Sequence, residues 1–158
     1  MSYPHKLPTT LLMLLLVAIA GISALWVPNG RSATPTETVL VTRIIDGDTI
    51  VVNGQTTIRL IGIDSPERDQ DGYQEASEHL SQLISNSFVD IEYDTSSTDP
   101  YGRTLGYLFQ ENIFINEQMV SEGFAKATPI QPNTKHADRL HQAQQNAKQA
   151  QKGLWSNQ

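Results

Sequence analysis

The sequence has no cysteine among its 158 residues. This absence excludes a disulfide framework, a zinc site with cysteine ligands and a thiol nucleophile. Positive charge is also scarce. Lys6 and Arg31 are the only charged residues among residues 1–33. The rest of the chain therefore has 9 basic and 17 acidic side chains, a net charge of −8. This balance argues against a broad basic face that binds nucleic acid without specificity, but it leaves room for an enzyme that meets a phosphate with a bound metal ion.

Long hydrophobic runs are absent except for one near the N-terminus, residues 11–26, which hold 16 residues without a charge. A signal-peptide core has about 7–15 apolar residues and a membrane span about 20, so the run lies between the two. We expect residues 1–26 to be a signal peptide or an N-terminal membrane anchor that contacts the membrane or the export machinery. A linker (27–36) and one folded domain (37–158) would follow, extracytoplasmic and either secreted or tethered.

The folded part begins with β-branched segments. Residues 37–45, 49–52 and 56–63 are predicted as strands, and Asn53-Gly54 between the last two is a strong hairpin signal. Two further strands are predicted at 88–93 and 104–109, and the latter forms a hairpin with 113–115.

Helical spacing of apolar residues predicts helices at 73–85, 116–122 and 134–151. Five short strands with a helix between the third and the fourth favour a closed barrel with helices packed outside it. The predicted fold class is α+β, mainly β: a five-stranded OB-type β-barrel with about three packed helices, preceded by the hydrophobic signal or anchor segment.

Three carboxylates lie near the ends of the second and third strands: Asp48, Asp64 and Glu67. Pairing by equal offset from the hairpin turn places position 48 opposite about position 59, and a small twist or a bulge would bring Asp64 within reach of Asp48. Carboxylates that converge repel unless a cation lies between them, and oxygen ligands select Ca²⁺ or Mg²⁺, to which a carbonyl near Ser65 would add. The alternative is that each Asp only stabilises its turn.

Two arginines occupy unusual positions. Arg59 lies among apolar residues in the third strand, and Arg103 follows a turn that leads into the fifth. A guanidinium group binds phosphate oxygens in a bidentate way, although a lone arginine more often forms a salt bridge. Together with the carboxylates, the two arginines form a constellation typical of phosphoryl transfer.

These residues occur within longer motifs that resemble the thermonuclease family, the staphylococcal nuclease-like enzymes. The motifs follow in family order over about residues 38–156. They are Ile45-Asp46-Gly47-Asp48-Thr49, residues 58–67, Tyr101-Gly102-Arg103 with Leu105-Gly106-Tyr107, Asn116-Glu117, Gly123-Phe124-Ala125-Lys126 and Leu154-Trp155.

The resemblance implies an OB-type barrel and Ca²⁺-dependent hydrolysis of DNA and RNA to products with a 3′-phosphate. Asp48 and Asp64 match the calcium ligands, and Ser65 replaces a threonine whose backbone carbonyl binds the ion. Glu67 matches the residue that activates water. Arg59 and Arg103 match the phosphate-binding arginines, and Tyr101 matches a tyrosine beside the nucleotide phosphate.

Two departures from the family pattern concern the substrate. The loop 68–72 is short and has no lysine, and residues 127–131 lack the tyrosines on which a base stacks in the best-known member. We therefore expect weaker substrate binding. We also expect single strands to be the favoured substrate and the protein to be a monomer. Two rival hypotheses are a non-catalytic OB-fold module that binds single-stranded nucleic acid or protein, and a membrane-tethered adaptor.

Overall fold

The computed structural model describes residues 36–156. The expectations for the signal or anchor segment and for most of the linker therefore lie outside the described residues. Within the described part, no helix is both long enough and apolar enough to cross a membrane.

Eight strands run through the described chain. They are β1 (Thr36–Ile44), β2 (Thr49–Val52), β3 (Thr56–Leu60), β4 (Ile63–Asp64), β5 (Phe88–Glu92), β6 (Thr104–Gln110), β7 (Ile113–Phe114) and β8 (Lys126–Ala127). β1, β2, β5, β6 and β7 lie within one position of the predicted bounds, β3 is shorter than predicted, and β4 and β8 were not predicted as separate strands.

Five of these strands close a barrel, as predicted. β1 pairs antiparallel with β2 and with β5, β2 pairs with β3, and β5 pairs with β6. A parallel pairing of β3 with β6 completes the ring. An irregularity between Val41 and Arg43 divides β1. The first half of the strand pairs with β5 and the second half with β2, which is how a bulge turns a strand around a barrel corner.

Three α-helices cover the barrel, in agreement with the prediction: α1 (Tyr73–Ile84), α2 (Ile115–Ser121) and α3 (Ala137–Gln149). A short 3-10 helix (Gly153–Trp155) follows α3, and the Trp155 side chain is buried. Each long helix buries one apolar face, formed by Ala76, Leu80 and Ile84 in α1 and by Leu140, Ala143 and Ala147 in α3. All of these residues except Ala147 join the barrel interior in one hydrophobic core.

The third strand is shorter than predicted, and the difference shapes the site. β3 ends at Leu60, and the chain turns at Ile61 and Gly62 before β4 begins. Gly62 has φ +79°, and a Cβ there would lie 2.7 Å from the Leu140 side chain, so the turn requires glycine. Buried Asn116 holds this turn, because its Nδ2 donates to the Ile61 carbonyl at 2.8 Å. The turn brings Asp64 back towards the start of β2.

Candidate active site

Asp48 lies immediately before β2 and is buried, with 5% of its surface exposed. Its backbone N–H donates to the Asp46 carboxylate at 3.0 Å, the turn chemistry expected of an Asp-Gly-Asp sequence. Gly47 is needed because a Cβ there would lie 2.7 Å from the Ser65 and Ala76 side chains. The turn therefore packs tightly against the segment that carries Ser65.

The Asp48 carboxylate accepts bonds from three sides. The Thr49 hydroxyl donates to Oδ1 at 3.0 Å, and the Ser65 backbone N–H donates to Oδ2 at 2.8 Å. Oδ2 also lies 3.0 Å from an Arg59 terminal nitrogen. Burial raises the pKa of the Asp48 carboxyl, and the Arg59 charge opposes that rise only in part. The site thus holds a carboxylate that further positive charge would stabilise.

Arg59 connects Asp48 to Asp64. One terminal nitrogen lies 3.0 Å from Asp48 Oδ2 and 3.2 Å from Asp64 Oδ1. The other donates to the carbonyls of Leu60 at 2.6 Å and Ile63 at 2.8 Å, which fixes the guanidinium against the turn after β3. The two aspartates converge as the hairpin predicted, although the register differs by one position because Thr49, not Asp48, faces Arg59.

The donor set between the two aspartates suits a hard cation. Two carboxylates share one positive nitrogen, and oxygen ligands of this kind select Ca²⁺ or Mg²⁺. In residues 36–156, no three His, Asp or Glu side chains are grouped so that they could hold a metal ion. The predicted site therefore depends on two carboxylates and a backbone carbonyl, with the Arg59 guanidinium already between the carboxylates.

Arg103 is held by Asp99, a residue that the sequence analysis missed. Its Nε donates to Asp99 Oδ2 at 2.7 Å, and its backbone N–H donates to Oδ1 at 2.9 Å. The Tyr101 N–H donates to the same Oδ1 at 2.9 Å. Burial raises the pKa of Asp99, but these bonds outweigh it and leave the pKa lowered. Both arginines thus form salt bridges, as the alternative hypothesis expects. The sequence signal that could have identified Asp99 is its position four residues before Arg103, in an Asp-Pro turn.

Three of the predicted residues besides Arg59 line the same cleft, which has a volume of about 640 Å³: Asp64, Tyr101 and Arg103. Among the described residues, the terminal nitrogens of Arg103 have no hydrogen-bond partner, and Tyr101 is 86% exposed at the rim. The cleft therefore presents an arginine fork and an aromatic ring to whatever enters it.

Buried Asn133, also missed from the sequence, connects two cleft walls. Its side chain accepts from the Ser96 N–H and donates to the Ser96 carbonyl, both at 2.8 Å. These two hydrogen bonds to the Ser96 backbone join the segment before Arg103 to the segment before α3. Ile130 lines the cleft in the segment before α3 and is 71% exposed. It belongs to residues 127–131, which lack the family's tyrosines.

Glu67 does not line the cleft. It follows buried Ser65 and Pro66, and its own side chain is exposed. Its backbone N–H donates to the Gln70 side-chain oxygen at 3.1 Å, and its carbonyl accepts from the Gln70 N–H at 2.8 Å. Ser65, two residues before Glu67, connects this segment to the carboxylate pair, because its backbone N–H donates to the Asp48 carboxylate.

Comparisons with known proteins agree with the motif pattern. A family model described as staphylococcal nuclease homologue matches residues 57–157, a range that includes every predicted site residue except Asp48. The chain is 38% identical over 137 residues to the thermonuclease of Staphylococcus hyicus, which covers 81% of each chain. It is 34% identical to the thermonuclease of Staphylococcus intermedius, over 93% of this chain and 96% of the relative. It is 30% identical to endonuclease YncB of Bacillus subtilis, over 82% and 66%.

Proposed function

Because the chain belongs to the staphylococcal nuclease family, we propose that it is a nuclease that hydrolyses phosphodiester bonds of DNA and RNA. The observation that carries the proposal is the cleft, in which Arg59 and Arg103 lie on one surface with Asp64. Two guanidinium groups beside a carboxylate pair provide charge for a phosphate and ligands for a cation. The names of the relatives, two thermonucleases and an endonuclease, support the same reaction class.

The metal in this proposal is Ca²⁺, held by the carboxylates of Asp48 and Asp64 and by the backbone carbonyl of Ser65. The donors are all oxygen atoms, and the buried Asp48 carboxylate has a raised pKa, so added positive charge there is favourable. When bound, the ion supplies Lewis-acid polarisation of a phosphate oxygen.

The chain's own groups supply the other steps. Glu67 accepts a proton from a water molecule, and the water oxygen bonds to phosphorus. Arg103 offers its two free terminal nitrogens to the phosphate oxygens, and the positive charge of Arg59, fixed by the Leu60 and Ile63 carbonyls, stabilises the added negative charge. The bond from phosphorus to the 5′-oxygen then breaks, and that oxygen leaves with a proton taken from solvent water, so the phosphate stays on the 3′-oxygen of the other product.

Single strands are the proposed preferred substrate. Tyr101 and Ile130 stand exposed at the cleft and present apolar surface to an unstacked base. A base stacked on an aromatic side chain gains about 1–3 kcal/mol, and Ile130 offers no aromatic face. The charge of −8 after residue 33 also opposes a polyanion, so the proposed enzyme binds its substrate weakly.

Location and assembly are further parts of the proposal. The uncharged run 11–26 with Lys6 before it supports a domain outside the cytoplasmic membrane, secreted or tethered by that segment. We propose that the domain acts as a monomer, since the proposed site residues all come from one chain.

The test is digestion of single-stranded DNA by the purified protein, with Ca²⁺ and with a chelator. Cleavage is expected only with Ca²⁺. Glu67→Gln should lower turnover about 10²–10⁴-fold, the usual contribution of a general base. Glu75→Gln, also exposed and near the start of α1, is the matched control and should retain full activity.

Two outcomes would contradict the proposal at different levels. If Glu67→Gln keeps activity within about threefold of the unaltered protein, the base assignment is wrong. If the folded protein cleaves nothing at any Ca²⁺ concentration but still binds single strands, the non-catalytic binding module is the better description.

A further inference from the structure

The loop that carries Glu67 has little packing to fix it. Pro66 is buried, and the next five side chains, 67–71, are all exposed. Gly72 then adopts φ +91° and lies against Leu154 and Pro66. Since no side chain of residues 67–71 enters the core, hydrogen bonds rather than hydrophobic contacts must set the position of Glu67.

Gln70 takes part in all the hydrogen bonds that the described structure gives to residues 67–71. Its side-chain oxygen accepts from the Glu67 N–H at 3.1 Å, and its backbone N–H donates to the Glu67 carbonyl at 2.8 Å. Its own carbonyl accepts from the Tyr73 N–H at 3.3 Å, at the first residue of α1. Gln70 therefore links the backbone of Glu67 on both sides to the start of a rigid helix.

We propose that Gln70 is a positioning residue: its side-chain carbonyl holds the Glu67 backbone so that the Glu67 carboxylate meets the water it activates. This inference rests on the proposed role of Glu67 as the base. Among the described residues the Glu67 carboxylate has no hydrogen-bond partner, so only its backbone and rotamer direct it. A displacement of about 1 Å at a reacting group costs up to about 10²-fold in rate.

The test compares two variants of similar side-chain length in the full chain. Gln70→Met removes the acceptor, whereas Gln70→Glu keeps an oxygen that accepts from the Glu67 N–H. We expect Gln70→Met to lower kcat about tenfold with KM within about twofold, and Gln70→Glu to recover most of that loss. Gln74→Ala is the matched control, because Gln74 is exposed in α1 and bonds Glu78 rather than the loop.

A double-mutant cycle separates positioning from a general structural effect. If Gln70 acts through Glu67, Gln70→Met should lower activity in the unaltered protein but leave the residual activity of Glu67→Gln unchanged. Equal losses in both backgrounds, or a changed KM with constant kcat, would overturn the inference.

The same cycle distinguishes this inference from the proposed function. If Glu67→Gln itself has no effect, the base assignment fails, and the role of Gln70 fails with it. If Glu67→Gln is strongly impaired while Gln70→Met has normal kcat, the base assignment stands and the positioning role alone is refuted.

Discussion

Replacing Asn116 by alanine should destabilise the domain more than any surface substitution. The side chain is fully buried in α2. It accepts from the Leu108 N–H of β6 at 3.0 Å and donates to the Ile61 carbonyl at 2.8 Å. Alanine would leave one buried donor and one buried acceptor without partners, at about 1–3 kcal/mol each. The expected loss is therefore about 2–6 kcal/mol, a large fraction of the roughly 5–15 kcal/mol by which a typical domain is stable.

Urea unfolding followed by circular dichroism measures this loss. With an m-value of about 2 kcal/mol/M, the unfolding midpoint should fall by about 1–3 M. Asn112→Ala is the matched control, because Asn112 is exposed in the turn between β6 and β7; its midpoint should move by no more than about 0.25 M, the equivalent of about 0.5 kcal/mol.

Activity provides a second measure of the same substitution. The Ile61 carbonyl belongs to the turn that places Arg59 and Asp64 together, so the folded fraction of Asn116→Ala should also turn over more slowly. A free-energy loss below about 1 kcal/mol would refute the reasoning, since it would mean that the two buried backbone groups find other partners at little cost.

Two further predictions concern Asp99 and Asp94. Asp99→Asn should lower turnover about 10–150-fold, because a hydrogen bond to a charged group contributes about 1.5–3 kcal/mol and Arg103 would lose its carboxylate acceptor. Its unfolding free energy should change by less than about 1 kcal/mol, since Arg103 is one-third exposed. Steady-state kinetics measures the turnover and urea unfolding measures the stability; a large loss of both would contradict the prediction. For Asp94, burial raises the pKa, but bonds from Lys135, Thr95 and Tyr107 leave it below 3.8. A lowered pKa adds stability above pH 3.8 that is lost as the pH falls through the folded value, so Asp94→Asn should unfold more easily at pH 7 and lose less stability between pH 5 and 3. Equal pH slopes for this variant and the unaltered protein would refute it.

Local patterns in the sequence were sufficient to predict the barrel. Alternating β-branched segments and the Asn53-Gly54 turn define β2 and β3, and apolar residues at helical spacing define α1 and α3. These preferences act over a few residues, which is why most bounds agree within one to three positions. The exception is the end of β3, where Gly62 turns the chain with φ +79° and leaves no room for a Cβ beside Leu140; a pattern of apolar residues gives no information about that turn.

The sequence also named Asp48, Arg59 and Asp64, whose side chains meet at the candidate site, because each lies in a motif of defined spacing, but it did not single out Asp99 or Asn133. Only the closed barrel decided how they are paired. Arg59 joins Asp48 and Asp64 because the pairing of β2 with β3 and the turn after β3 bring both carboxylates to one nitrogen. Asn133 joins two walls that are 37 residues apart. Residue types and local turns are encoded nearby in the chain, whereas the partner of a buried polar group is chosen by whatever the completed fold places within 3 Å of it.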